Sequence, residues 1–191
     1  MKLSRYTVIL DANVLYSAPL RDLLLELAVG DLFRAKWTSE IEDEWVRSLL
    51  HDRPDIDEHK LRATCVKMRD SVLDCEVSGY GELIDGLALP DKDDRHVLAA
   101  AIHAKCDAII TYNLSDFPSE VVAKYDIEVL HPDDFLHFQF DLSEAAVITA
   151  VQRIRRRLIK PSISQRDYLD RMEGLGLPKI AAALKRFEAV L

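Results

Sequence analysis

Four acidic side chains stand where predicted strands end or where neighbouring helices begin. Asp11 ends the first predicted strand, Glu44 lies one turn into the helix after the second, and Asp94 opens the helix before the fourth. Asp116 lies in the loop that follows this fourth strand. Crowded carboxylates repel one another unless divalent cations neutralise them, and oxygen ligands of this type suit Mg²⁺ or Mn²⁺. The sequence therefore predicts a metal site in which these acids are both ligands and catalytic groups, a type of site able to cleave a phosphodiester.

Each acid also has a purely structural interpretation, which stays open while the residues are taken singly. Asp11 can cap the helix that follows it, and Asp94 can cap a helix whose start carries two further aspartates. On spacing alone, Glu44 is more typical of a solvated helix position, and Asp116 of an ordinary loop acid. What favours a functional site is the joint placement of all four at one edge of a predicted sheet.

Alternating strand and helix patterns are predicted to position these acids. Short runs of β-forming residues predict strands at residues 6–10, 34–38, 73–77, 108–112 and 127–130. Helical spacing predicts helices at residues 14–29, from residue 39, and at residues 58–72, 94–104 and 120–124. Pro19 favours a separate first turn, and Ser39 with Glu42 is typical of a capping box. The alternation favours an α/β fold with a parallel sheet and helices on both faces, in which function collects at the carboxyl ends of the strands.

The character of the chain changes near Phe140. We predict one unit over residues 1–140 and a helical C-terminal extension over residues 141–191, with helices at 142–159, 165–172 and 178–190. The net charge of −8 is unevenly spread, because the extension has 10 Lys and Arg against 6 Asp and Glu, whereas the remainder has 15 against 27. An acidic body is not the usual composition of a nucleic-acid-binding protein.

A basic cluster marks the end of the first helix of the extension. Its members are Arg153, Arg155, Arg156, Arg157 and Lys160. Three roles fit such a cluster: a solvated helix face, contact with RNA phosphates, or docking against an acidic partner. Contact with RNA through this cluster would also explain how a protein with an acidic body can bind a nucleic acid.

Several other classes of protein and site are disfavoured. The N-terminal apolar run is too short for a signal peptide, and no apolar stretch approaches the length of a membrane span. Cys65, Cys75 and Cys106 lack metal-ligand spacing and are predicted to be reduced thiols of a cytoplasmic protein. His96 and His103 are interpreted as ordinary polar positions, and the lack of a Cys/His set disfavours zinc. There is no Gly-rich phosphate loop.

Five segments taken together resemble the PIN domain, and most closely the VapC-like toxins of bacterial toxin–antitoxin pairs. The segments are residues 8–15, 39–50, 90–100, 110–117 and 127–136. As an ordered set they are specific, and the resemblance covers roughly residues 6–140. Residues 141–191 resemble the C-terminal extension of one branch of these toxins.

The resemblance implies a three-layer α/β/α sandwich with strand order 3-2-1-4-5. It implies a Mg²⁺- or Mn²⁺-dependent endoribonuclease that hydrolyses RNA phosphodiesters by metal-activated water, leaving a 5′-phosphate and a 3′-hydroxyl. Asp11, Glu44, Asp94 and Asp116 match the acidic metal-site positions of the family. Asn13 and Thr111 match supporting positions, and Asn113, assigned a supporting role with them, stands where many members carry an acid.

The resemblance also implies partners: an RNA substrate, a cognate antitoxin that blocks the crevice, and a second copy in a homodimer, with no membrane. The main alternative is a catalytically inactive PIN module that binds RNA or a protein. A phosphatase with Asp11 as nucleophile is disfavoured, because that chemistry usually needs a second acid where this chain has Asn13.

Overall fold

Four short strands form one parallel sheet within residues 6–159 and 161–191, the part of the chain that this computed structural model describes. In chain order they are β1 (Thr7–Leu10), β2 (Arg34–Lys36), β3 (Ala108–Ile110) and β4 (Glu128–Leu130). The spatial order is β2-β1-β3-β4, with Ile9 of β1 paired to Lys36 on one side and Ile109 on the other. The two central strands are apolar and buried, as parallel strands covered on both faces require.

The strand predicted at residues 73–77 is much shorter in the structure. It is reduced to a single parallel bridge between Trp37 and Glu76, flanked by hydrogen bonds of 2.9 Å from Trp37 N to Cys75 O and from Val77 N to Trp37 O. Asp74 has φ +58°, so the backbone before the bridge turns instead of extending. The predicted order 3-2-1-4-5 is kept, but the strand that is third along the chain is reduced to the single pair Trp37 and Glu76.

Helices flank the sheet, which confirms the predicted α/β class. Those that precede β4 are α1 (Ala12–Tyr16), α2 (Ala18–Val29), α3 (Ser39–Asp52), α4 (Glu58–Ser71), α5 (Gly81–Ile84), α6 (Arg95–His103) and α7 (Ser119–Val122). Two 3-10 turns, Leu114–Asp116 and Ala123–Tyr125, lie on either side of α7. The separate first turn that Pro19 favours is present as α1. The cap of α3 is Thr38, which accepts a hydrogen bond from Ile41 N, so the predicted Ser39–Glu42 capping box is wrong.

The small side chains of α6 let this helix pack closely on the centre of the sheet. Ala99, Ala100 and Ala101 are fully buried, and α6 contacts β1 and β3. The N-terminus of α6 therefore has a fixed position relative to the ends of the strands. All three cysteines are buried free thiols, as predicted.

The C-terminal extension packs directly against the sheet unit. Helix α8 (Pro132–Leu142) leads into it, and the helices that follow are α9 (Glu144–Arg157), α10 (Gln165–Gly174) and α11 (Pro178–Lys185), with a 3-10 turn at Glu188–Val190. Helix α9 contacts α2, and α11 contacts both α8 and α10. The boundary at residue 140 lies inside α8 and stays a proposal. No helix among the described residues is long and apolar enough to span a membrane.

Candidate metal and active site

A cavity of about 450 Å³ opens beside the ends of β1 and β3. Three of the four predicted acids line it, namely Asp11, Glu44 and Asp94. Asn13 and Asn113 line it as well. Asp11 directly follows β1, and Asn113 lies just beyond β3, so the cavity occupies the crevice where doubly wound sheets usually bind ligands.

Asp11 is buried, 5% exposed, and its carboxylate accepts three hydrogen bonds. Oδ1 accepts from Ala12 N at 2.6 Å, and Oδ2 accepts from Asn13 Nδ2 and Thr111 Oγ1, each at 2.7 Å. Burial raises the pKa of Asp11, although the hydrogen bonds from Thr111 and Ala12 oppose that rise. Asp11 therefore does cap α1, and it faces the cavity at the same time.

Asn13 and Thr111 connect the first turn of α1 to the chain beyond β3. Asn13 Nδ2 also donates to Thr111 Oγ1 at 2.9 Å, and Asn13 Oδ1 accepts from Tyr112 N at 3.1 Å. Thr111 Oγ1 accepts from Asn113 N at 3.0 Å. The two residues predicted to support the site thus fix the backbone of both segments that reach the cavity. Asn113 joins this network through its backbone N–H.

Glu44 is held by His96, so the interpretation of this histidine as an ordinary polar position is wrong. His96 Nε2 donates to Glu44 Oε1 at 3.0 Å, and His96 Nδ1 lies 3.6 Å from Glu40 Oε2. Burial lowers the pKa of His96, but the hydrogen bond to Glu44 and the nearby charges of Glu44, Glu40 and Asp11 outweigh it, so the pKa is raised. The available signal was a histidine directly before the fully apolar run of α6.

Asp94 differs from Asp11 in that its side chain accepts no hydrogen bond from the part of the chain that the structure describes. It does occupy the N-cap position of α6, as the structural interpretation expects, but without a side-chain capping bond. Partial burial and then the charges of Asp11, Asp116, Asp91 and Glu44 raise its pKa to about 7. This acid is destabilised by its neighbours in the ionised form, as expected of a carboxylate that lacks a cation.

Asp116 ends the 3-10 turn Leu114–Asp116 and is half-buried. It is absent from the cavity lining, but its charge contributes to the raised pKa of Asp94. Ser115 Oγ donates to Asp116 Oδ1 at a long 3.4 Å. Within the described residues, no lysine or arginine forms an ion pair with any of the four acids.

The acids do not form a preassembled cage for a metal ion. No group of three or more His, Cys, Asp or Glu side chains in the described part of the chain is arranged to hold one. An all-oxygen donor set nevertheless fits Mg²⁺, which keeps several waters and is usually bound by one or two carboxylates together with substrate phosphates. Asp11, Glu44 and Asp94, which share the cavity, are the residues placed to provide those carboxylates.

The basic cluster of the extension is largely engaged within the chain. Arg153 and Arg157 pair with Glu26 of α2 at 3.4 and 2.7 Å. Arg155 donates to the carbonyl oxygen of Ile163 at 2.9 Å and also contacts that of Leu191. Arg156 is exposed, and Lys160 lies outside the described residues. An acidic partner for this cluster is therefore present inside the molecule, and contact with RNA stays a prediction.

Comparisons with known proteins cover both parts of the chain. A family model described as "PIN domain" matches residues 7–115, and one described as "VapC50 C-terminal domain" matches residues 132–186. A protein of Mycobacterium tuberculosis named "Putative ribonuclease VapC50" is 39% identical over 108 residues, which are 56% of this chain and 63% of that protein. The match thus spans less than two thirds of the relative's length. No solved structure is significantly similar to the chain.

Proposed function

This chain belongs to the PIN-domain family, and on that premise we propose that it is a metal-dependent endoribonuclease. The observation that carries the proposal is the cavity itself, which Asp11, Glu44 and Asp94 line together. Within the described residues no lysine or arginine pairs with them, and His96 is paired with Glu44 alone. A polyanionic RNA cannot approach such a cavity closely unless a cation offsets the carboxylates. The name of the relative from M. tuberculosis, a ribonuclease, supports RNA as the substrate.

Mg²⁺ or Mn²⁺ is the proposed cofactor, held by Asp11, Glu44 and Asp94 with Asp116 as a further ligand. When bound, such an ion activates water and neutralises charge on the leaving oxygen of the phosphodiester. The chain's own contribution is to fix the ligands: Thr111 orients Asp11 by the 2.7 Å hydrogen bond, and His96 orients Glu44. Asp94, with a pKa of about 7, is only partly ionised near neutral pH, and a bound cation would displace its remaining proton.

We further propose that the chain is the toxin of a type II toxin–antitoxin pair and acts in the cytoplasm. A cognate antitoxin would block the cavity with a basic side chain, because an arginine or lysine complements three carboxylates that share only His96 as a basic neighbour among the described residues. A homodimer is part of the same proposal. Support for these partners comes from family membership and from the match of the extension to the VapC50 C-terminal domain.

RNA cleavage by the purified protein tests this proposal. With Mg²⁺ or Mn²⁺ we expect endonucleolytic products that carry a 5′-phosphate and a 3′-hydroxyl, and we expect a chelator to abolish them. Asp94→Asn should lower cleavage strongly, though less than neutralising Asp11 does, because it deletes the carboxylate that no capping bond engages. Asp93→Asn is the matched control, since it removes a neighbouring exposed acid and should leave activity unchanged. Cleavage that resists both the chelator and Asp94→Asn would refute the proposed site.

An inactive module that binds RNA or a protein is the second candidate. Two observations favour it: Asn113 presents an amide at the cavity, and the described acids form no ready-made ligand cluster. The two candidates differ in metal affinity. The nuclease should melt at a higher temperature with Mn²⁺, because a ligand that binds only the folded state stabilises it, and the inactive module should not.

A further inference from the structure

Tyr112 joins the cavity to the C-terminal extension. It lies between Thr111 and Asn113, and its backbone N–H donates to Asn13 Oδ1 at 3.1 Å. Its side chain reaches in the other direction, where the hydroxyl donates to Leu175 O at 2.8 Å. One residue therefore has its main chain in the hydrogen-bond network of the site and its side chain in the extension.

The acceptor, Leu175 O, belongs to the turn between α10 and α11. Gly176 adopts φ +75° in this turn, a conformation that L side chains rarely take. Hydrogen bonds of 3.0 Å from Gly176 N to Glu173 O and from Leu177 N to Met172 O close it. The turn thus holds the Leu175 carbonyl group in a fixed position, so the acceptor of the Tyr112 hydroxyl is better ordered than a mobile side chain would be.

The same turn is anchored from its far side by α8. Asp133 accepts hydrogen bonds from Lys179 N at 2.9 Å and Ile180 N at 3.0 Å, and so holds the first turn of α11. His131, which caps α8, accepts from Asp133 N at 3.2 Å, and its ring lies edge-on to Tyr112 with centroids 5.0 Å apart. The contacts close a ring that runs from Tyr112 through the α10–α11 turn, α11 and α8 back to Tyr112.

From this ring we infer that the extension positions the active-site loop, residues 111–116, through the Tyr112 hydroxyl. Tyr112 is a positioning residue here, because its side chain contacts the α10–α11 turn and not the cavity lining. The hydroxyl is a dependable donor, since burial and the charge of Asp133 raise its pKa to about 12. The inference has two parts. The effect of Tyr112 on metal affinity rests on the proposed function, whereas its effect on the order of residues 111–116 does not.

Tyr112→Phe tests the link, because it keeps the ring beside His131 and removes only the donation to Leu175 O. We expect hydrogen exchange at the amides of residues 111–117 to accelerate about threefold to tenfold, with β1 and β3 unchanged. We also expect the Kd for Mn²⁺ to rise by a similar factor of about three to ten. The control is Tyr168→Phe, which deletes a buried hydroxyl of α10 that has no partner among the described residues and should alter neither measurement.

The outcomes separate this inference from the proposed function. Unchanged exchange in the loop of Tyr112→Phe would overturn the inference, whatever the chain catalyses. Faster exchange with an unchanged Kd for Mn²⁺ would overturn the part that concerns the cavity. If Mn²⁺ did not bind the wild-type chain, the proposed function would fail. The hydrogen-exchange data alone would then decide whether the extension positions residues 111–116. Should Tyr112→Phe not fold, Asp133→Asn loosens α11 from the other side of the ring and must accelerate exchange in the same loop.

Discussion

Two acids on opposite walls of the cavity, Asp11 and Asp94, are held in opposite ways. On the strand wall, where Thr111 supports Asp11 from behind, the Asp11 carboxylate is buried and accepts three hydrogen bonds. On the helix wall, Glu44 accepts a hydrogen bond from His96, whereas Asp94 has no side-chain capping bond and has a pKa of about 7. For the proposed metal site this difference implies a division of labour: Asp11 is fixed before any cation arrives, and Asp94 carries electrostatic strain that a cation would relieve.

The largest expected effect comes from neutralising the fixed acid. Asp11→Asn should lower the rate of RNA cleavage by about 10²–10³-fold or more, because one carboxylate oxygen is replaced by an NH2 group that cannot bind a cation, and the negative charge is lost. Single-turnover cleavage measures the loss. A variant that kept at least a tenth of wild-type activity would show that the strand wall is not part of the proposed centre.

A moderate effect on stability should follow from removing the hydroxyl that supports the strand wall. Thr111 is fully buried, and Thr111→Val keeps nearly the same shape. The variant deprives Asp11 of a donor and the Asn113 backbone N–H of its acceptor. We expect the free energy of unfolding to fall by about 1–3 kcal/mol in urea titrations. Thr149→Val, the same change on the exposed face of α9, should stay within about 0.5 kcal/mol. If the two variants lost equal free energy of unfolding, the Thr111 hydroxyl would have no special role in supporting the strand wall.

A smaller, pH-dependent effect should mark the helix wall in the metal-free protein. The folded pKa of Asp94, about 7, lies above its ordinary value of 3.8, so ionisation of Asp94 costs stability as the pH rises from about 4 through 7. Asp94→Asn removes this cost. With chelator present, the variant should match the wild type at pH 4 and exceed its unfolding free energy at pH 8 by about 1–2 kcal/mol, allowing for solvent screening of a half-exposed group.

The opposite pH trend would contradict the comparison of the walls. If Asp94→Asn were less stable than the wild type at pH 8, the carboxylate would have a favourable partner in the folded protein. The Asp93→Asn variant controls for the change in net charge, because Asp93 is exposed and its replacement should leave the pH profile unchanged.

The sequence was informative where the site depends on the order of elements along the chain. Asp11, Glu44 and Asp94 could be placed together because each follows or precedes a predicted element, and parallel strands bring their ends to one edge. The helices themselves could be predicted, α3 from its amphipathic spacing and α6 from its run of alanines. The assignment of all four acids to a metal centre stays a prediction.

The sequence was uninformative where a contact joins residues far apart in the chain. His96 bonds to Glu44 across 52 positions and Tyr112 to Leu175 across 63, and no periodicity encodes such pairs. The shortened third strand has the same cause, because the residues around Glu76 have strand-like composition and only the turn at Asp74 limits their pairing. Tertiary contact overrides local preference at these places.

The single bridge at Trp37 and Glu76 also has a consequence for how the protein behaves in a crowded solution. An open strand with free N–H and C=O groups is a template on which other polypeptides can polymerise, and this is a common route to aggregation. Here the outer strand, Arg34–Lys36, is only three residues long and carries a charge at each end. The Lys36 ammonium binds the Asp74 carboxylate at 2.9 Å beside that border. The short, charged border therefore offers few free backbone groups to another polypeptide on this side of the sheet.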